Sequence, residues 1–396
     1  MGPLMRIPRP AVVLTALLLT LALLAAATGG AVAQPLVRFG PPASTGAFGE
    51  EVSFSTTFRS DEPPTRVELL ARLPGDDSDR VTIASVAPDG DGWRATVVQS
   101  GHVVPNSSWE YRFRVVTDQG SAVGPTGRHR VLDTRFEWDV LRGERVNVWT
   151  YEGGKDFARR ALEVAEGALD SAAELLGVDN VAAVDFLIYT DTREFRQAMG
   201  PATRENVGGQ AHPAIRTLFG LIEPRQVGSD WVEELITHEL AHLVFHEAVD
   251  NPVQYPPRWL NEGVAVYLSR GHTASDRAAV EGAAASGTII PLEGLGGQFP
   301  TRSSRQSLAY AESIDAFDHF LETHGEPALA ELVGAFRQGL GLEAAFEAAT
   351  GEDFAAFDAD WLASLGAEPP EPYGPQESQP GPQPEVWQTV LDTPPG

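Results

Sequence analysis

The chain has 396 residues, a formal net charge of −26, 42 % hydrophobic residues and no cysteine. That length supports two or more domains with a sizeable core and excludes wholesale disorder. Zero cysteine excludes disulfide scaffolds, thiolate metal sites and cysteine nucleophiles, so any metal must be held by His, Asp or Glu. The acid excess argues against nucleic acid and anionic lipid as partners, because both bind through basic patches.

At the N-terminus, Arg6 and Arg9 precede an uncharged apolar run from Ala11 to Thr28, and Ala31-Val32-Ala33 fits the small-x-small rule for cleavage. Residues 1–33 therefore read as an export signal, and the protein is expected to be secreted or at the cell surface. Left uncleaved, the run is long enough to anchor the chain, since about 17 to 20 apolar residues span a bilayer. No other membrane association is expected.

Residues 34–133 alternate apolar and polar residues in short runs: 51–58, 66–73, 81–86, 93–98 and 109–116. Turn clusters such as Pro74-Gly75-Asp76-Asp77 separate them. Five or more strands at this spacing predict an all-β sandwich of immunoglobulin or fibronectin type. Asn106-Ser107-Ser108 fits a glycosylation acceptor. Nothing else in this part carries chemistry.

The pattern changes at residue 134. Strands are predicted at 146–151, 184–189 and 216–222. A helix over 156–176 puts Phe157, Ala161, Ala165, Leu169 and Leu176 on one face before Gly177, and a short helix follows at 193–199. Beyond Ser229 the chain reads as helical to Leu365. Residues 134–366 thus form one mixed α/β domain with a helical C-terminal part, giving an α+β protein overall. Residues 367–396 are rich in Pro, Gln and Glu and read as a disordered tail, with Val386 to Leu391 as its apolar patch.

Asp230, with Glu233 three residues on, resembles a helix cap and its box partner. On the helix that follows lies His238-Glu239-Leu240-Ala241-His242. Residues four apart are about 40° apart around a helix, so both imidazoles leave one face and can reach one ion. Glu239 can lean over an open coordination position. A catalytic zinc site needs a third protein ligand. Pro252, Pro256 and Pro257 break the chain, and Arg258-Trp259-Leu260-Asn261-Glu262-Gly263 then opens a new helix that can bring Glu262 back to the His pair.

His-Glu-x-x-His followed about twenty residues later by Trp-Leu-Asn-Glu-Gly resembles the gluzincin signature of zinc metallopeptidases. The likeness is greatest to the peptidase MA-like family of exported bacterial proteins. It extends to Val207-Gly208-Gly209-Gln210-Ala211 before the motif and to Tyr310-Ala311-Glu312-Ser313 after it. The resemblance implies a zincin-like domain with one Zn²⁺ on His238, His242 and Glu262, and Glu239 as general base. It also implies a downstream Tyr that stabilises the oxyanion, with Tyr310 the first candidate and Tyr267 the second.

Some features depart from the relatives. Val266 stands where thermolysin-like enzymes place an Asp that orients a His ligand, so that acceptor is unassigned. The Gly-x-Met-x-Asn segment of aminopeptidases is not evident, which favours an endopeptidase. Ala248 stands where a metzincin would place its third His; His246 is expected to be structural or to support a ligand, and His212, His272, His319 and His324 to be ordinary histidines. The expected substrate is a peptide or protein, and the expected state a monomer. Two other readings are a non-catalytic zinc-binding adhesion module and a zinc hydrolase of non-peptide amides or esters.

Overall fold

The structure is a computed structural model that describes residues 37–200, 208–251 and 255–367. The expected export signal and nearly all of the expected tail lie outside them. The chain divides into two compact units, the first ending at Arg135 and the second starting at Phe136, two residues beyond the boundary read from the sequence.

The first unit is antiparallel throughout. Its strands are β1 (Val37–Phe39), β2 (Ala43–Thr45), β3 (Val52–Ser60), β4 (Arg66–Arg72), β5 (Arg80–Ile83), β6 (Ser85–Asp89), β7 (Gly92–Gln99), β8 (Ser108–Thr117), β9 (Gly120–Val123) and β10 (Gly127–Arg130). One five-stranded sheet runs β1-β3-β7-β6 with β2 on β3; the other runs β10-β8-β4-β5 with β9 on β8. Period-two alternation drives the packing: Val52, Phe54 and Phe58 of β3 face inward, as do Trp109, Tyr111, Phe113 and Val115 of β8. Phe54 bridges the sheets, its ring centroid 4.6 Å from Tyr111 and 5.8 Å from Trp109. The run at 81–86, predicted as one strand, is two. The chain changes sheets at Ala84, so β5 pairs with β4 while β6 pairs with β7.

The second unit opens with β11 (Asp139–Arg142), β12 (Val146–Thr150), α1 (Gly154–Leu176), β13 (Val184–Tyr189), α2 (Thr192–Met199), β14 (Gly209–His212) and β15 (Thr217–Leu221). These strands form one mixed sheet in the order β11-β12-β13-β15-β14, parallel across β12-β13-β15 and antiparallel at both edges. Central β13 is almost wholly buried, as a strand covered on both faces must be. Helix α1 buries Phe157, Ala161, Ala165, Leu169, Ala172 and Leu176, and ends at Gly177, whose φ of 65° suits glycine.

Among the described residues six α-helices follow: α3 (Asp230–Val249), α4 (Arg258–Ser269), α5 (Ala274–Ser286), α6 (Ser303–Arg337), α7 (Leu342–Thr350) and α8 (Phe354–Ser364). Ser229 is the N-cap of α3, which makes Asp230 its first residue; Glu233, read as a box partner, instead pairs with Arg160 at 2.9 Å. Helix α6 breaks at Gly325, φ 78°, two residues before Pro327. Among the described residues no helix is long and apolar enough to cross a bilayer.

Glu312 on α6 is fully buried; one carboxyl oxygen accepts the Ile290 N–H at 3.0 Å and the other has no partner. Burial pushes the carboxyl up to about 8, against the opposing pull of the Ile290 N–H and Arg305. A folded-state value above the unfolded one means that the native state retains the proton. Its contribution to stability is complete below the ordinary value of 4.5, is lost as pH rises towards about 8, and is level above that. Glu312→Gln is therefore expected to raise the melting temperature at pH 9 by several degrees and to change it little at pH 5. Thermal unfolding at the two pH values checks this, at roughly 2–4 °C per kcal/mol for a unit of this size.

Candidate metal centre

Helix α3 buries Val232, Ile236, Leu240, Leu243 and Val244, which fixes the azimuth of everything else on it. His238, Glu239 and His242 stand on the partly open side. Helix α4 starts directly after Pro256-Pro257, so Glu262 lies one turn in and is buried. The Gly263 beside it has a steric reason. A Cβ there would lie 2.7 Å from the Ser313 carbonyl oxygen and 2.8 Å from Phe317 Cβ. Only glycine lets α4 and α6 cross this closely, and that crossing brings Tyr310, one turn before Ser313, to the site.

The His238 and His242 Nε2 atoms are 3.2 Å apart, and each is 3.5 Å from Glu262 Oε2. Ligands about 2.0–2.1 Å from a tetrahedral zinc are separated by about 3.3 Å. The three atoms thus form one face of such a tetrahedron and leave its fourth corner open. Glu262 Oε2 is buried and accepts no hydrogen bond, a costly state for a carboxylate without a cation. Of the described residues, only His238, His242 and Glu262 form a cluster of three or more potential metal ligands. The donor set fits zinc.

Supporting contacts hold each ligand. His242 Nδ1 is 2.9 Å from Asn261 Oδ1, which leaves Nε2 as the ligand atom. Arg258 donates to Glu262 Oε1 from Nε and Nη2 at 3.0 and 2.9 Å, leaving Oε2 as the ligand atom. Burial lowers the His242 pKa, but the adjacent Glu262 carboxylate outweighs it and raises the imidazole to about 9. Burial likewise opposes the charge on Glu262, and the two imidazoles hold it well below the usual carboxylate range.

Glu239 Oε2 accepts the Ala211 N–H of β14 at 2.9 Å. Gly209 permits this approach, since a Cβ on it would lie 3.0 Å from Glu239 Cγ. Edge strand β14, absent from the predicted elements, therefore borders the site. A cleft of about 760 Å³ opens there, with Gln210, Tyr255, Gln298, Gln306 and Tyr310 in its walls.

Tyr310 faces the ligands, its ring centroid 6.4 Å from that of His238, and the Arg258 guanidinium lies near its hydroxyl. Burial and then the Glu262 carboxylate raise its pKa, so the hydroxyl keeps its proton. Tyr267 does not line the cleft; it is 36 % exposed and packs on Phe317. Tyr255, not weighed from the sequence, does line it, with 46 % of its surface exposed. His246 packs against Tyr255 and His212 against Phe219. His272, His319 and His324 meet Asp318, Asp360 and Glu352.

Arg258, Asn261 and the Ala211 N–H were not picked out from the sequence. Arg258 carried a usable signal, four residues before Glu262 on one helix. Asn261 and Ala211 carried none, because their partners are distant in sequence.

Two imidazoles from one helix and a carboxylate from the next, beside a mixed sheet, define a gluzincin-like metallopeptidase fold. The chain belongs to the Peptidase MA superfamily, whose sequence model matches residues 164–367. Among solved structures, the chain is similar to the M1 zinc metallopeptidase of Deinococcus radiodurans, at 14 % identity over 85 % of this chain and 94 % of that one, TM-score 0.37. It is also similar to an aminopeptidase N family protein of Idiomarina loihiensis, at 10 % identity over 83 % and 76 %, TM-score 0.40. No curated protein sequence matches it.

Proposed function

We propose that the protein is an exported zinc-dependent endopeptidase with Glu239 as its general base. The observation that carries this reading is the triangle of His238 Nε2, His242 Nε2 and Glu262 Oε2 with Glu239 beside it. One Zn²⁺ held there would supply Lewis acidity and an acidified water. Glu239, held in place by the Ala211 N–H, takes the proton of the attacking water and passes it to the leaving amine. The Tyr310 hydroxyl, kept protonated, donates to the oxyanion that develops on the scissile carbonyl.

Two features favour internal cleavage. Among the described residues β14 has β15 on one side and the cleft on the other, so an extended peptide can add to its outer edge. Glu239 and Glu262 are the only carboxylates among the described residues in the cleft wall, and both are engaged, which leaves none there for a substrate α-amino group. In this reading residues 1–33 direct export, residues 34–133 position the enzyme or its substrate, and the enzyme works as a monomer.

The test is digestion of an unfolded protein and of N-terminally blocked peptides, with products mapped by mass spectrometry. Internal cuts and cleavage of blocked peptides are expected, both stopped by a chelator. Trimming confined to free N-termini would overturn the endopeptidase assignment. Tyr310→Phe is expected to lower kcat by about 10²-fold, the size of one lost oxyanion donor, with zinc content unchanged. Steady-state kinetics beside metal analysis checks it.

A further inference from the structure

A second cavity, of about 570 Å³, adjoins the cleft and shares His238 and Tyr310 with it. A substrate side chain flanking the scissile bond can therefore enter it while the carbonyl stays at the metal ligands. Trp231, 39 % exposed, and the apolar Leu235 and Val266 stand in its walls. Two charges there cancel: Arg270 bonds Asp276 through both Nη atoms, at 2.5 and 3.1 Å. Asp276 also accepts from the Thr273 N–H and hydroxyl, which keeps it anionic and turned to that pair. Glu234 is different. It lines the same cavity and among the described residues has no ion-pair partner, while its neighbour Glu233 is taken by Arg160.

We propose that this side cavity selects a lysine or arginine side chain next to the scissile bond, a reading that rests on the peptidase assignment above. An aliphatic stem lies against Leu235, Val266 and the Trp231 face, and the cationic head meets Glu234 and the indole. A glutamate or aspartate there is repelled by the same carboxylate.

The test uses the full chain loaded with zinc and a library of N-terminally blocked peptides that vary one residue at a time around the cleaved bond. Cleavage rates are read by mass spectrometry. At one position flanking the bond, Lys and Arg are expected to exceed Leu and Glu. The Lys-to-Leu ratio of kcat/KM is expected to fall about tenfold in Glu234→Gln, and preference to turn towards Glu in Glu234→Lys. Trp231→Ala is expected to lower kcat/KM for Lys and Arg peptides more than for Ala peptides. Cleavage with no basic preference, or a preference unmoved by Glu234→Lys, would overturn this assignment and leave the peptidase reading standing. Failure to cleave any peptide would overturn both.

Discussion

Glu239→Gln is expected to retain about one zinc per chain and to lower kcat/KM on peptides by about 10²- to 10⁴-fold, the usual size of a general-base effect. Glutamine has the size of glutamate, and its amide oxygen can still accept the Ala211 N–H that glutamate accepts at 2.9 Å. The side chain therefore keeps its place, and β14 keeps its anchor on α3. Only the capacity to take a proton is lost. Glu239 is not one of the three atoms of the ligand triangle, so metal content should be untouched. Metal analysis and kinetics on the same preparation separate the two effects. Activity within a few fold of wild type would remove Glu239 from the mechanism.

Glu262→Gln acts on the other half of the site and is expected to lower zinc affinity by more than about 100-fold, since changes beyond the ligands alone cost about 10–100-fold. The carboxylate is the only anion of the triangle. It also neutralises Arg258, which donates two hydrogen bonds to it, and raises the His242 pKa. A neutral amide would leave a guanidinium opposite a cation site. Removing one partner of a buried charged set is costly for this reason. Competitive zinc titration against a chromophoric chelator reads the affinity. Circular dichroism confirms that the helices persist. Retention of zinc at wild-type affinity would mean that the ion is held elsewhere.

The sequence made the chemistry legible and the architecture only in part. His238 and His242 could be placed on one face because helical geometry is fixed. Glu262 could be joined to them because Pro256 and Pro257 force a reversal before the new helix. What escaped depends on contacts between distant segments. Asn261 meets His242 nineteen residues away, and the Ala211 N–H meets Glu239 twenty-eight residues away. No local periodicity encodes either contact. Strand β14 is four residues long with glycine at its start, too short to show alternation. The division of 81–86 at Ala84 escaped because alternation continues unbroken across a change of sheet. The Asp230 cap failed by one residue, since Ser and Asp are both good caps and only the backbone decides between them. The resemblance already ranks Tyr310 ahead of Tyr267; what it does not reveal is the close α4–α6 crossing at Gly263 that brings Tyr310 to the cleft.

The most direct test of the central claim is zinc titration of the metal-free protein, with peptide cleavage read at each step. Activity is expected to be absent at the start, to rise in proportion to added zinc and to stop rising at one equivalent per chain. Cleavage that persists without metal, or one tightly bound zinc with no cleavage of any peptide, would contradict it.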